Sequence, residues 1–75
     1  MPWMRIELDS DKQTARQIWE LHRAGKQHRD SRDEAVDEVW RRGRTPAGRV
    51  TFVGITNGEP ARLLYDVEIH SDTVR

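Results

Sequence analysis

The sequence predicts a small α+β domain of order β-α-α-β-β, with a three-stranded sheet and both helices packed on one face. Three observations carry that prediction. Two strand-like runs flank Asn57-Gly58 within residues 50–69, and Asn-Gly between alternating apolar residues is the strongest short-range hairpin signal. Ser10-Asp-Lys-Gln13 and Ser31-Arg-Asp-Glu34 both fit the capping box that opens a helix. Met4, Ile6 and Leu8 alternate with Arg5 and Glu7, the period of a half-buried strand.

The first strand is expected to stop at Asp9-Ser10-Asp11. Helix 1 then runs to about Ala24. Ala15, Ile18, Trp19 and His22 share its apolar stripe, with Leu21 at the edge. Gly25 is the natural left-handed terminator. Lys26-Gln-His-Arg-Asp30 reads as a polar connector. Helix 2 is expected from about Arg32 to Arg42, with Ala35, Val36, Val39 and Trp40 inward. Asp33 and Glu34 sit early, Arg41 and Arg42 late, as the helix dipole prefers. Gly43 ends the helix, and Pro46 and Gly48 break the loop that follows.

For the hairpin, a two-residue type I′ turn at Asn57-Gly58 sets Phe52 opposite Leu63, Val50 opposite Tyr65 and Gly54 opposite Ala61. Pro60 then faces Ile55 at a site without a ladder bond. Val50, Phe52, Leu63, Tyr65, Val67 and Ile69 fall on one side of the ribbon. If each helix reverses the chain, the first strand lies antiparallel to the second or parallel to the third. The chain reads as one domain over residues 1–75, with a tail from Ser71 to Arg75 expected to fray.

Composition bounds the function. A chain of 75 residues holds one small core, and with no cysteine it has neither disulfide nor thiolate metal site. Thirteen basic residues balance thirteen acidic ones, so no global charge draws the chain to nucleic acid or membrane. Eleven of the basic residues are arginine, the residue best suited to bidentate and interface contacts. No segment resembles a secretory leader or a membrane span, which makes the cytoplasm the expected compartment.

Four constellations bear on chemistry. Val53 and Ile55 project opposite to Phe52, Leu64 opposite to Leu63, and Trp3 opposite to Met4. With the neighbouring Arg62 they make an expected interface on the uncovered sheet face. Second, Arg41, Arg42, Arg44 and Arg49 lie in a stretch without acids, a grip for phosphates unless Asp37 and Glu38 pair with Arg41 and Arg42 at i,i+4. Third, Asp66, Glu68 and His70 share one strand face, but Asp66 and His70 are about 13 Å apart, too far for one metal ion. Fourth, His22 sits on an apolar stripe and His28 in the connector, six apart rather than at the helical i,i+4 metal spacing.

No nucleophile motif or phosphate loop is present, Ser10 and Ser31 being explained by capping. No cofactor or metal is expected. The leading expectation is a small regulatory protein that binds a protein partner or itself as a homodimer through the sheet face, a role that a phage or mobile-element accessory would fit. The alternative is nucleic-acid binding through Arg41–Arg49. A second alternative, a small ribonuclease-like toxin, rests on element order alone, which is similar to that of toxins of the RelE/ParE type.

Overall fold

The computed structural model of the chain describes residues 2–71. Its elements are β1 (Trp3–Ser10), α1 (Lys12–Arg23), α2 (Arg29–Arg41), β2 (Pro46–Thr56) and β3 (Ala61–Ile69). The expected α+β order is therefore the observed one. The expected frayed tail lies mostly outside the described residues, at 72–75.

Both helices end by the same device. Lys26 N–H donates to Leu21 O and Gly25 N–H to His22 O, and Arg44 and Gly43 repeat the pattern on Val39 and Trp40. Gly25 (φ 76°) and Gly43 (φ 77°) take the left-handed conformation that this C-cap requires. The starts differ from expectation. Asp11 caps α1: its carboxylate accepts from Thr14 N at 2.7 Å and from Thr14 Oγ1 at 2.9 Å. His28 caps α2, which begins a turn earlier than Ser31 implies. Ser31 is buried and is used elsewhere.

The sheet order is β1-β3-β2, with both outer strands antiparallel to β3. Neither expected placement of β1 holds. The reason is the route of the helices. Lys12 at the start of α1 pairs with Glu59 at one end of the sheet, and Thr45 after α2 accepts from His70 N at the other. The two helices thus make a single return pass in tandem and scarcely touch each other. Two passes would have reversed the chain twice. The result is long and thin, 46 × 26 × 16 Å, with a radius of gyration of 13.0 Å against roughly 11 Å for a compact chain of this length.

The hairpin register also differs. Ile55 pairs with Leu63, Gly54 with Leu64 and Phe52 with Tyr65. Asn57 and Gly58 both lack the positive φ that a type I′ turn demands, and residues 57–60 make a longer connection in which Glu59-Pro60 is cis. Val53 is the extra residue of a bulge between Phe52 and Gly54. The bulge shifts the alternation by one, so Ile55 turns to the helix side and packs against the core. Burial of one more large apolar side chain outweighs the local turn preference.

The core lies between the helices and β1–β3. Ile6, Val39 and Val67 are its largest fully buried side chains, with Ala15, Ile18, Ala35, Leu63, Tyr65 and Ile69 around them. The helix stripes are narrower than expected: Trp19 is 37% and Trp40 57% exposed, and His22 is exposed as well.

Candidate functional site

The outer sheet face does not carry the expected apolar patch. Ile55 faces the helices, and Val53 bulges from the β2 edge beside α1, where both line a recess with Trp19. Of the five expected interface residues, Trp3, Leu64 and Arg62 share the outer face. Around them runs a ladder of ion pairs: Arg5 Nε to Asp66 Oδ1 at 2.5 Å, Arg62 Nε to Asp9 Oδ1 at 3.3 Å, and Arg49 Nε to Glu68 Oε1 at 3.8 Å. Glu68, cross-strand neighbour of Trp3, is nearly buried. Asp66, Glu68 and His70 form no metal cluster, and no such group of acids and histidines occurs among the described residues.

The arginines expected to grip phosphate are already engaged. Arg41 and Arg42 both reach Glu38, at 3.4 and 3.2 Å, so Glu38 rather than Asp37 serves Arg41. Arg49 faces Glu68, and Arg44 has a partner of its own.

A different region concentrates free positive charge. Among the described residues, the cations without an ion pair are Arg16, Arg23, Lys26, Arg29 and Arg32. All lie between residues 16 and 32, a stretch that holds only two acids, Glu20 and Asp30. Their elements are α1, the connector and the first turn of α2. Two recesses follow one another along the seam that this segment makes with β2. One, of about 330 Å³, is lined by His22, Lys26, His28, Arg32, Phe52 and Tyr65 among others, with no carboxylate. The next, of about 540 Å³, is lined by Lys12, Arg16, Trp19, Glu20, Val53 and Asn57 among others.

Aromatic rings line the same seam. His22 lies 5.0 Å and Trp19 6.5 Å from Phe52 between ring centroids, and Phe52 meets Tyr65 edge-on at 5.3 Å. These separations fall in the range of favourable ring pairs. Trp19 and His22 remain exposed and present their surfaces outward.

Tyr65 is fixed from behind. Its hydroxyl bonds to Ser31 Oγ, which lies 2.9 Å from His28 Nδ1. Ser31 N–H also donates to His28 Nδ1, at 3.3 Å. Nδ1 is thus the acceptor, which places the ring proton of neutral His28 on Nε2. Burial raises the Tyr65 pKa above its ordinary value, opposed by the Ser31 hydrogen bond and the Arg32 charge. Arg32 Nε is buried without a hydrogen-bond partner among the described residues, a donor beside the recess with no acceptor.

In sequence, Lys26–Asp30 reads only as a polar connector. The available signal is the run of five cations from Arg16 to Arg32 against only two acids, Glu20 and Asp30. No protein-family model matches this chain, and no characterised protein or solved structure is significantly similar to it. No helix among the described residues is long and apolar enough to cross a membrane.

Proposed function

We propose that this chain is a small binding protein that holds single-stranded nucleic acid along the seam between α1 and β2. One observation carries the reading: the cations without ion pairs lie together in residues 16–32, beside the rings of Trp19, His22, Phe52 and Tyr65. Proteins that bind single strands without reading sequence combine a positive groove, which follows the backbone, with rings on which bases stack. Arg32 and Lys26 supply the charge at the first recess, Arg16 at the second, and Trp19 the ring between them. The zero net charge of the chain is compatible with this, because local charge governs contact once most other cations are matched by carboxylates. The cytoplasm, which holds such strands, is the compartment this reading calls for.

A second reading keeps the protein partner, supported by Trp3, which is 44% exposed on the outer face it shares with Leu64 and Arg62. One experiment separates the two. Anisotropy of a labelled oligouridylate is titrated with protein over a series of salt concentrations. Affinity should fall steeply with salt. Lys26→Glu with Arg32→Glu should remove binding, while Arg41→Glu with Arg42→Glu, or Trp3→Ala with Leu64→Asp, should leave it intact. Trp19→Ala should weaken it by about ten- to hundredfold, the contribution of a stacked base. Salt-independent binding, or binding that survives the Lys26 and Arg32 changes in a folded variant, overturns the proposal.

A further inference from the structure

The two edges of the sheet are unlike. On the β2 edge, Ala47–Arg49 bulge opposite Glu68 and Val53 bulges opposite the Leu64–Tyr65 step, with Pro46, Gly48 and Gly54 nearby. Bulges, proline and glycine are the devices that blunt an edge against pairing. The β1 edge has no bulge and no glycine, and the proline beside it, Pro2, turns its nitrogen toward β3 and not to the free edge. The strand pairs with β3 over eight successive residues without a slip, and no strand covers its other side among the described residues.

We infer that β1 is a homotypic docking edge, pairing antiparallel with β1 of a second copy about a two-fold axis at Ile6. The hydrogen-bond phase fits. Ile69 N–H donates to Pro2 O at 3.1 Å, continuing the β1–β3 register. The even-numbered residues of β1 therefore bond to β3, and the N–H and C=O groups of Trp3, Arg5, Glu7 and Asp9 point to the free edge. With the axis at Ile6, Arg5, which holds Asp66 within its own chain, lies opposite Glu7 of the second copy, and Glu7, 3.9 Å from Arg62 within its own chain, lies opposite the second copy's Arg5. Met4 meets Leu8, and Ile6 meets Ile6, on the helix side.

Charge selects this register. An axis at Arg5 sets arginine against arginine, and an axis at Glu7 sets glutamate against glutamate, both destabilising when directly opposite. A slip by one residue places the outer Arg5 against the inner Ile6. The axis at Glu7 also sets Arg5 opposite Asp9 but leaves two glutamates face to face, whereas the axis at Ile6 pairs opposite charges with no like pair and keeps both faces in phase. The product is a continuous six-stranded sheet with a β2 edge, blunted by its bulges, at each end.

Sedimentation equilibrium of the full chain over a concentration series tests the inference. The wild type should approach twice 8.8 kDa. Glu7→Arg and Arg5→Glu each set like charges opposite in a self-pair and should weaken self-association roughly tenfold or more. In a mixture of the two variants, one chain carries arginine and the other glutamate at both positions, so every facing pair is again of opposite charge. The mixture should recover the dimer. Glu7→Pro removes an N–H that faces away from β3 and should give a monomer with unchanged circular dichroism. A wild type that stays monomeric up to millimolar protein overturns the inference. So does a folded Glu7→Pro chain that dimerises as the wild type does, or a mixture of folded charge variants that associates no better than either alone.

Discussion

The two flanks of β3 solve different problems. On one side β1 follows β3 in strict step from Trp3↔Glu68 to Ser10↔Ala61. On the other, β2 falls out of step twice, around residues 47–49 and at Val53. The regular flank buries Ile6 completely, whereas Val50, Phe52 and Ile55 on the irregular flank are only partly buried. Regularity on the β1 side serves packing and leaves a clean edge. Irregularity on the β2 side opens the seam with α1 where the rings and free cations gather.

The most forceful way to break that comparison is to empty the regular flank. Ile6→Ala should cost about 2–5 kcal/mol, the range for a fully buried isoleucine. A domain of 75 residues has only about 4–11 kcal/mol to lose. Ile55→Ala, on the partly buried flank, should cost clearly less. Urea unfolding followed by circular dichroism compares the two. Equal costs would mean that the flanks do not differ in packing.

A smaller effect is expected at the joint between the flanks. Tyr65→Phe deletes the hydroxyl bound to Ser31 and should cost about 1–2 kcal/mol, a lost hydrogen bond plus an unmet partner. It should also change the response to alkali. Burial raises the Tyr65 pKa in the folded chain, so the folded state holds this proton more tightly than the unfolded state does. That stabilisation is complete below the ordinary value of 10.0 and is lost as pH rises through the raised value. Tyr65 is the chain's single tyrosine, so the phenylalanine variant should lose this component of the alkaline decline. Melting curves from about pH 8 to about pH 11, spanning the ordinary tyrosine range, would show it.

The smallest change in stability, and the sharpest test, is deletion of Val53. Every observed cross-strand pair survives the deletion, because Val53 is the unpaired residue of its bulge. The fold and its melting temperature should change little. The β2 edge, however, becomes more regular, and light scattering should detect assemblies larger than the wild type forms. A deletion variant that unfolds would show that the bulge is needed by the core and does more than blunt the edge.

Much of the fold was legible, because the local signals pointed to the same elements. Periodicity found both helices and all three strands, and Gly25 and Gly43 ended the helices as read. The helix starts were harder, since Asp11 and His28 compete with the neighbouring serines as caps and tertiary contacts decide. Ser31 shows why: its hydroxyl is taken by Tyr65, 34 positions away, a partner no local motif contains. Strand order was hidden because it depends on whether the helices pack side by side or in tandem. The misplaced patch followed from one residue, Val53, since a single bulge reverses which side Ile55 faces. The free cations are not legible in the sequence because pairing is a property of the fold. In sequence the thirteen basic residues look alike, and only the folded chain separates Arg41, held by Glu38, from Arg32, held by no carboxylate.

The position of β3 at the centre of the sheet has a temporal consequence. It is the last of the three strands to be synthesised, yet both others bond to it and not to each other. While β1 and β2 emerge, neither has a partner within the chain, and the first ladder contacts join residues as distant as Ile6 and Tyr65. Such long closures are the slow kind. On a ribosome the helices can form as they appear, but the sheet waits for Ala61–Ile69. A nascent chain halted before Ala61 would hold two unpaired strands at once, and release of those last residues would zip both ladders together.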